Sequence, residues 1–168
     1  HLVSEALYLS DPDGLGIEVY ADRPRETWSQ VNRELVMGTE PLDFRDLLAT
    51  PHAAWGGMPA GTTMGHMHLH VGDLKKASDF FSETLGFDRI VLRYPGALFM
   101  SAGGYHPHLG TNTWAGPSAR GPRDDDARLL EWTIVVPGAK DVAAIADALR
   151  KAGAPASLDG AQLITGDP

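Results

Sequence analysis

The sequence predicts an α+β fold of paired βαβββ modules whose mixed sheets curl into cups. Three observations carry that prediction. Residues 66–114 read as a strand, a helix and three further strands; the pattern restarts at LLEWTIVVP, 129–137; and ALFMS at 97–101 followed by AGGYHPHLGTNTW repeats the shape of ALYLS at 6–10 followed by DPDGLGIEVY. Each such unit has one uncovered apolar sheet face, so two units pair to cover it.

Taken in order, residues 1–21 read as the last two strands of a clipped module. DPDG is good turn chemistry, with Pro12 presetting φ and Gly14 closing the reversal, so Val3–Leu9 and Leu15–Tyr20 pair as a hairpin. Residues 22–63 form a linker with short helices around 25–32 and at 43–49, ending in the Pro/Gly-rich TPHAAWGGMPAGTT. Residues 64–116 make a complete module. Its first strand, 66–72, puts His66, His68 and His70 on one face and Met67, Leu69 and Val71 on the other. Its helix, 74–85, has Asp73 as N-cap, Leu74, Ala77, Phe81 and Leu85 on one face and Gly86 as its stop. Strands 87–93, 96–102 and 107–114 follow. After a loop at 117–128, residues 129–168 form a module lacking its last strand: strand 129–137, then a helix near 140–152 with Val142, Ile145 and Leu149 inward and Gly153 at its end, then LDGAQLIT. It stops at Asp167-Pro168, where the last strand should begin. The fold thus reads as truncated at both ends, and an opening in mid-pattern without a starting Met predicts a piece of a longer protein.

A chain of 168 residues, 43% of them apolar, can bury roughly 70% of its unfolded surface and so build a real core. Its net charge of −8 argues against nucleic acid or an anionic membrane as partner, since both attract clustered Lys and Arg. The absence of cysteine excludes disulfides, thiolate nucleophiles and Cys-ligated metals. No apolar run approaches the ~20 residues that span a bilayer, so a cytoplasmic protein is expected.

His1, five residues, Leu7-Tyr8, two residues, Asp11-Pro12, one residue, Gly14, three residues and Glu18 resemble the signature of extradiol ring-cleavage dioxygenases of the catechol 2,3-dioxygenase type. These belong to the vicinal oxygen chelate, or glyoxalase–bleomycin resistance, superfamily. The signature's two residues before the histidine would precede His1, and Leu15 stands where Asn is common. The resemblance implies that Glu18 is a ligand of a catalytic Fe(II), while His1 and Tyr8 face the substrate. GHMHLHVGDL resembles the superfamily's module-opening strand, where a His seven residues before the Asp is the usual ligand; that position is His66. His68 and His70 lie about 7 and 13 Å further along at strand rise, so one ion cannot take all three. Aligning Ala6 with Ala97 brings Glu18 to Leu109, or to His108 if one residue is missing in the turn. His108, with His106 as second choice, resembles a further catalytic histidine of these enzymes. A second histidine ligand is expected upstream of residue 1. Glu131 stands where the last module would carry such a histidine, which favours pairing of the clipped module with the 66–114 module.

The resemblance implies Fe(II)-dependent cleavage of a catechol-type ring by O2 to a ring-opened semialdehyde, with Mn(II) compatible with the same ligands. Two imidazoles and a carboxylate hold such a metal on one side and leave positions open for diol and O2. His108 would take or return a proton, a role worth ~10²–10⁴-fold. The expected partners are a small aromatic diol and O2, in a homo-oligomer, with no nucleic acid and no membrane. Rival functions in the same fold are a metal-dependent lyase or transferase of the glyoxalase kind and a non-catalytic drug-resistance type of binding protein, because fold does not settle function. Plainer readings exist for each residue: Glu18 as an exposed strand carboxylate, His1 as a frayed end, Tyr8 as packing, and His106 and His108 as loop decoration.

Overall fold

Asp11 organises the first turn. Its side chain accepts the backbone N–H groups of Asp13 and Leu15 at 2.9 and 2.8 Å, and Gly14 takes a φ of +89° that a side chain would resist. These are features of a computed structural model that describes every residue except Arg33, Pro117, Ser118, Asp167 and Pro168. The chain divides into two compact units, His1–His66 and Met67–Pro168.

In the first unit, strands β1 (Ser4–Ser10) and β2 (Gly16–Asp22) pair antiparallel with Tyr8 opposite Glu18 and Ala6 opposite Tyr20. Period-2 alternation therefore puts Ala6, Tyr8, Glu18 and Tyr20 on one face and Leu7, Leu9, Ile17 and Val19 on the other. The helix expected around 25–32 is only a single 3-10 turn, Arg25–Thr27. Residues beyond it pair instead as a two-residue ladder, β3 (Gln30–Val31) with β4 (Glu34–Leu35), around Asn32, whose positive φ of 53° suits a tight reversal. Helix α1 (Phe44–Ala49) starts where Asp43 caps it, its side chain accepting from the N–H groups of Arg45 and Asp46. The Pro/Gly-rich stretch that follows has no regular structure.

The second unit is built on a four-stranded sheet of order β5-β8-β7-β6: β5 (Met67–His70), β6 (Asp88–Val91), β7 (Ala97–Ser101) and β8 (Leu109–Asn112). The β5 and β8 strands run parallel, and the others pair antiparallel. Between β5 and β6 lies α2, which runs as an α-helix over Leu74–Ser78 and widens into a π-helical turn over Asp79–Thr84. Asp73 caps it, and Gly86, with φ of +86°, ends it. The wider turn lets the consecutive Phe80 and Phe81 both enter the core, edge to face at 5.1 Å. There they meet Leu98 and Met100 of β7, Leu109 of β8 and Leu149 of α3 (Ala139–Ala152). Gly153 and Ala154 close α3 by donating to the carbonyls of Arg150 and Leu149, with Gly153 left-handed at φ +71°. A last hairpin, β9 (Ala156–Asp159) with β10 (Gln162–Thr165), turns at Gly160.

Residues 129–137 were expected to form a strand and do not. In the complete sheet the opening strand β5 bonds only to β8, the last strand of its module. No such partner is present for 129–137 among the described residues, so Leu130 and Val135 stand 80% and 90% exposed while Trp132 alone reaches the core. The alignment of the two hairpins also needs correction. Ala6 pairs with Tyr20 and Ala97 with Asn112, so the second hairpin carries one residue more rather than one fewer. The position matching Glu18 is Gly110, not Leu109 or His108. Asp167-Pro168, the expected stop, and Pro117-Ser118 of the expected loop lie outside the described residues. No helix among the described residues is long and apolar enough to cross a membrane.

Candidate functional site

The face of the first hairpin that carries Tyr8 and Glu18 also gathers the two histidines at the ends of the first unit. Glu18 sits at its centre. Its Oε1 accepts the Tyr8 hydroxyl at 2.8 Å and lies 3.5 Å from His1 Nε2, and its Oε2 lies 3.1 Å from His66 Nε2. His1 Nε2 also bonds the Tyr8 hydroxyl, and its Nδ1 reaches Thr39 Oγ1 at 3.4 Å. The backbone helps: Leu2 N–H donates to the Gly38 carbonyl, which brings the chain start beside residues 38–39. The Glu18 and His66 side chains are only 15% and 13% exposed, so neither is a solvated strand residue.

Burial alone would raise the Glu18 carboxyl pKa. The hydrogen bonds from His1, His66 and Tyr8 outweigh it and hold the group far below the usual carboxylate range. The hydrogen bond to Glu18 conversely raises the His1 imidazole, against the opposing effect of burial. The unit thus keeps a carboxylate ionised in a half-buried place, flanked by imidazoles.

A divalent metal suits that donor set. Carboxylate oxygen and imidazole nitrogen are the ligands of non-haem Fe(II) sites. Glu18 Oε2 and His66 Nε2 approach one another as two ligands of one ion would. They supply two donors, and among the described residues no group of three His, Cys, Asp or Glu is arranged to hold a metal.

Histidines of the second unit occupy separate settings. His68, on β5, packs over Gly110, where a Cβ would come within 3.0 Å of its Nδ1. Asn112 Oδ1 accepts the Trp114 backbone N–H at 3.0 Å, which turns its Nδ2 toward His68 Nε2 at 2.8 Å. The exposed His68 thus accepts at Nε2, its ring beside those of Phe99 and Trp114. His70 is exposed. His106 is buried and stacks on Tyr105, whose ring also lies 4.8 Å from that of His108. His108 Nδ1 accepts the Ala102 N–H at 3.1 Å, which leaves Nε2 to carry the proton of the neutral ring. Burial, together with the charge of His106, lowers its pKa. Glu131 is exposed in the irregular 129–137 stretch. Sequence reading passed over Tyr20, Thr39, Tyr105 and Asn112. Tyr20 could have been found, because two residues beyond Glu18 on a strand is the same face.

Comparison with known proteins identifies the family of the chain. The sequence profile of the Glyoxalase/Bleomycin resistance protein/Dioxygenase superfamily matches residues 63–158. The chain is 50% identical over 159 residues to the catechol-2,3-dioxygenase of Bacillus subtilis (strain 168), a match that covers 91% of this chain and 55% of the relative. The chain thus spans about half the length of that curated relative. A search of solved structures finds no match. With a four-stranded βαβββ sheet inside the matched region and half of the aligned residues identical to those of a named relative, the chain belongs to the Glyoxalase/Bleomycin resistance protein/Dioxygenase superfamily.

Proposed function

We propose that this chain carries part of the site of an Fe(II)-dependent extradiol dioxygenase, which cleaves a catechol-type aromatic ring with O2 to a ring-opened semialdehyde. The observation that carries the reading is the meeting of the Glu18 carboxylate with His66 Nε2 at 3.1 Å, beside His1 and Tyr8. A dioxygenase among the relatives supports it. Glu18 and His66 would hold the metal, with a further imidazole completing the set. The chemistry that Fe(II) supplies when bound is the activation of O2 toward the diol ring. Mn(II) fits the same donors.

The chain's own residues do the rest. Glu18 stays ionised across the working pH range and so remains a ligand. Tyr8 is 63% exposed, its hydroxyl tied to Glu18 and His1 and its ring edge to face with that of His1. Its single hydroxyl hydrogen is donated to Glu18, so contact with a phenolate oxygen of the diol requires that hydrogen to turn from the carboxylate to the substrate. His1, whose pKa is raised, holds a proton beside that hydroxyl. Within the second unit, His108 accepts at Nδ1 and so as a neutral ring is protonated on Nε2, the form suited to proton transfer, with His106 as the alternative.

The test is anaerobic loading with Fe(II), followed by O2 uptake and the appearance of a yellow semialdehyde on adding catechol. Metal uptake without O2 consumption would point instead to a lyase or transferase of the same superfamily. Failure to take up any metal would point to a non-catalytic small-molecule binder.

A further inference from the structure

Tyr20 stands two residues beyond Glu18, on the same face of β2, opposite the small Ala6. Its hydroxyl lies 3.4 Å from His66 Nδ1, and the two rings are 5.3 Å apart at 39°. The preceding residue makes this approach available. A Cβ on Gly65 would fall 2.5 Å from Tyr20 Cζ and closer still to the hydroxyl, so only glycine admits the tyrosine there. Each ring nitrogen of His66 therefore has its own oxygen partner: Glu18 Oε2 at Nε2 and the Tyr20 hydroxyl at Nδ1.

These partners differ in what they can accept. Ionised Glu18 only accepts, so Nε2 carries a proton toward it, and in a neutral ring that leaves Nδ1 as the bare nitrogen. A metal reverses this, because it takes the Nε2 lone pair and a neutral ring must then carry its proton on Nδ1. A carbonyl or a carboxylate at Nδ1 would serve only the second state. A hydroxyl serves both, since it donates one hydrogen and accepts through its lone pairs.

We propose that Tyr20 is the positioning residue of His66, its hydroxyl donating to Nδ1 while Nε2–H faces Glu18 and accepting from Nδ1–H once Nε2 ligates a divalent cation. This deepens the proposed metal site and rests on it. For a neutral ring the protons balance: one leaves Nε2 for solvent and one reaches Nδ1, while the phenol keeps its own hydrogen and only turns it. The ring orientation set by the Tyr20 contact is the same in both states, so His66 does not have to swing to receive the ion.

The experiment uses Zn(II), a diamagnetic probe for the same nitrogen and oxygen donors, on the chain and on Tyr20→Phe, which keeps the aromatic ring. Long-range 1H–15N correlation of His66 reads the proton position directly. In the metal-free chain it should show a protonated Nε2 and a hydrogen-bonded, bare Nδ1; with Zn(II) the proton should appear on Nδ1. Tyr20→Phe should remove the hydrogen-bond shift at Nδ1 without metal and weaken Zn(II) binding by ~10–100-fold. An Nδ1 signal identical in both proteins, or equal Zn(II) affinity, would overturn the role of Tyr20. Glu18→Ala separates the two ideas: if it leaves Zn(II) affinity unchanged the metal site itself fails, whereas loss with Glu18→Ala alone and none with Tyr20→Phe refutes only Tyr20.

Discussion

Removing one oxygen from the first hairpin separates holding a metal from using it. Tyr8→Phe deletes a donor to Glu18 Oε1 but leaves His1 and His66 at the carboxylate, so Fe(II) affinity should change by less than tenfold. Ring cleavage, followed by O2 uptake with catechol, should fall ~10²-fold if the hydroxyl handles the substrate's proton. His108 belongs to the second unit. Its folded-state pKa is lowered, so the unfolded chain binds the extra proton first as pH falls. Stability should therefore decline as pH drops below the ordinary histidine value of about 6.5, and His108→Asn should flatten that decline in urea midpoints measured from pH 8 to 5. Among the residues, the meeting of Tyr8 with Glu18 was legible because a fixed spacing in sequence becomes a cross-strand pair once the turn is known. The face that Tyr20 shares with Glu18 was legible too, but its partner His66, 46 residues away, was not, nor was the contact of Thr39 with His1 across 38 residues.

Elements governed by local chemistry were readable, and those governed by distant partners were not. Asp11 and Gly14 dictate the first turn, and Asp73 and Gly86 bound α2, all from within a few residues. The π-helical turn in α2 has no local signature, for it answers to the demand that Phe80 and Phe81 both be buried. Strand 129–137 failed for the opposite reason: its residues are apolar and alternate, but a strand exists only where another strand pairs with it. The one-residue error in matching the two hairpins came from turn length, which composition does not reveal. Gly153 tests the end of α3. Gly153→Ala forces a side chain into a left-handed position and should cost about 1 kcal/mol in urea unfolding. Leu149→Ala, which empties a fully buried site between α3 and the sheet, should cost ~2–5 kcal/mol.

At the scale of the whole molecule, the family match spans residues 63–158, which takes in His66 at the end of the first unit and most of the second, while Glu18 lies outside it. The match to the longer catechol-2,3-dioxygenase extends over 91% of this chain. The most direct measurement is anaerobic Fe(II) titration of the chain beside Glu18→Ala and His66→Ala. Both substitutions should weaken binding together, by at least ~100-fold each, with the fold retained by circular dichroism. Wild-type affinity in either variant would show that the carboxylate and the imidazole do not share an ion.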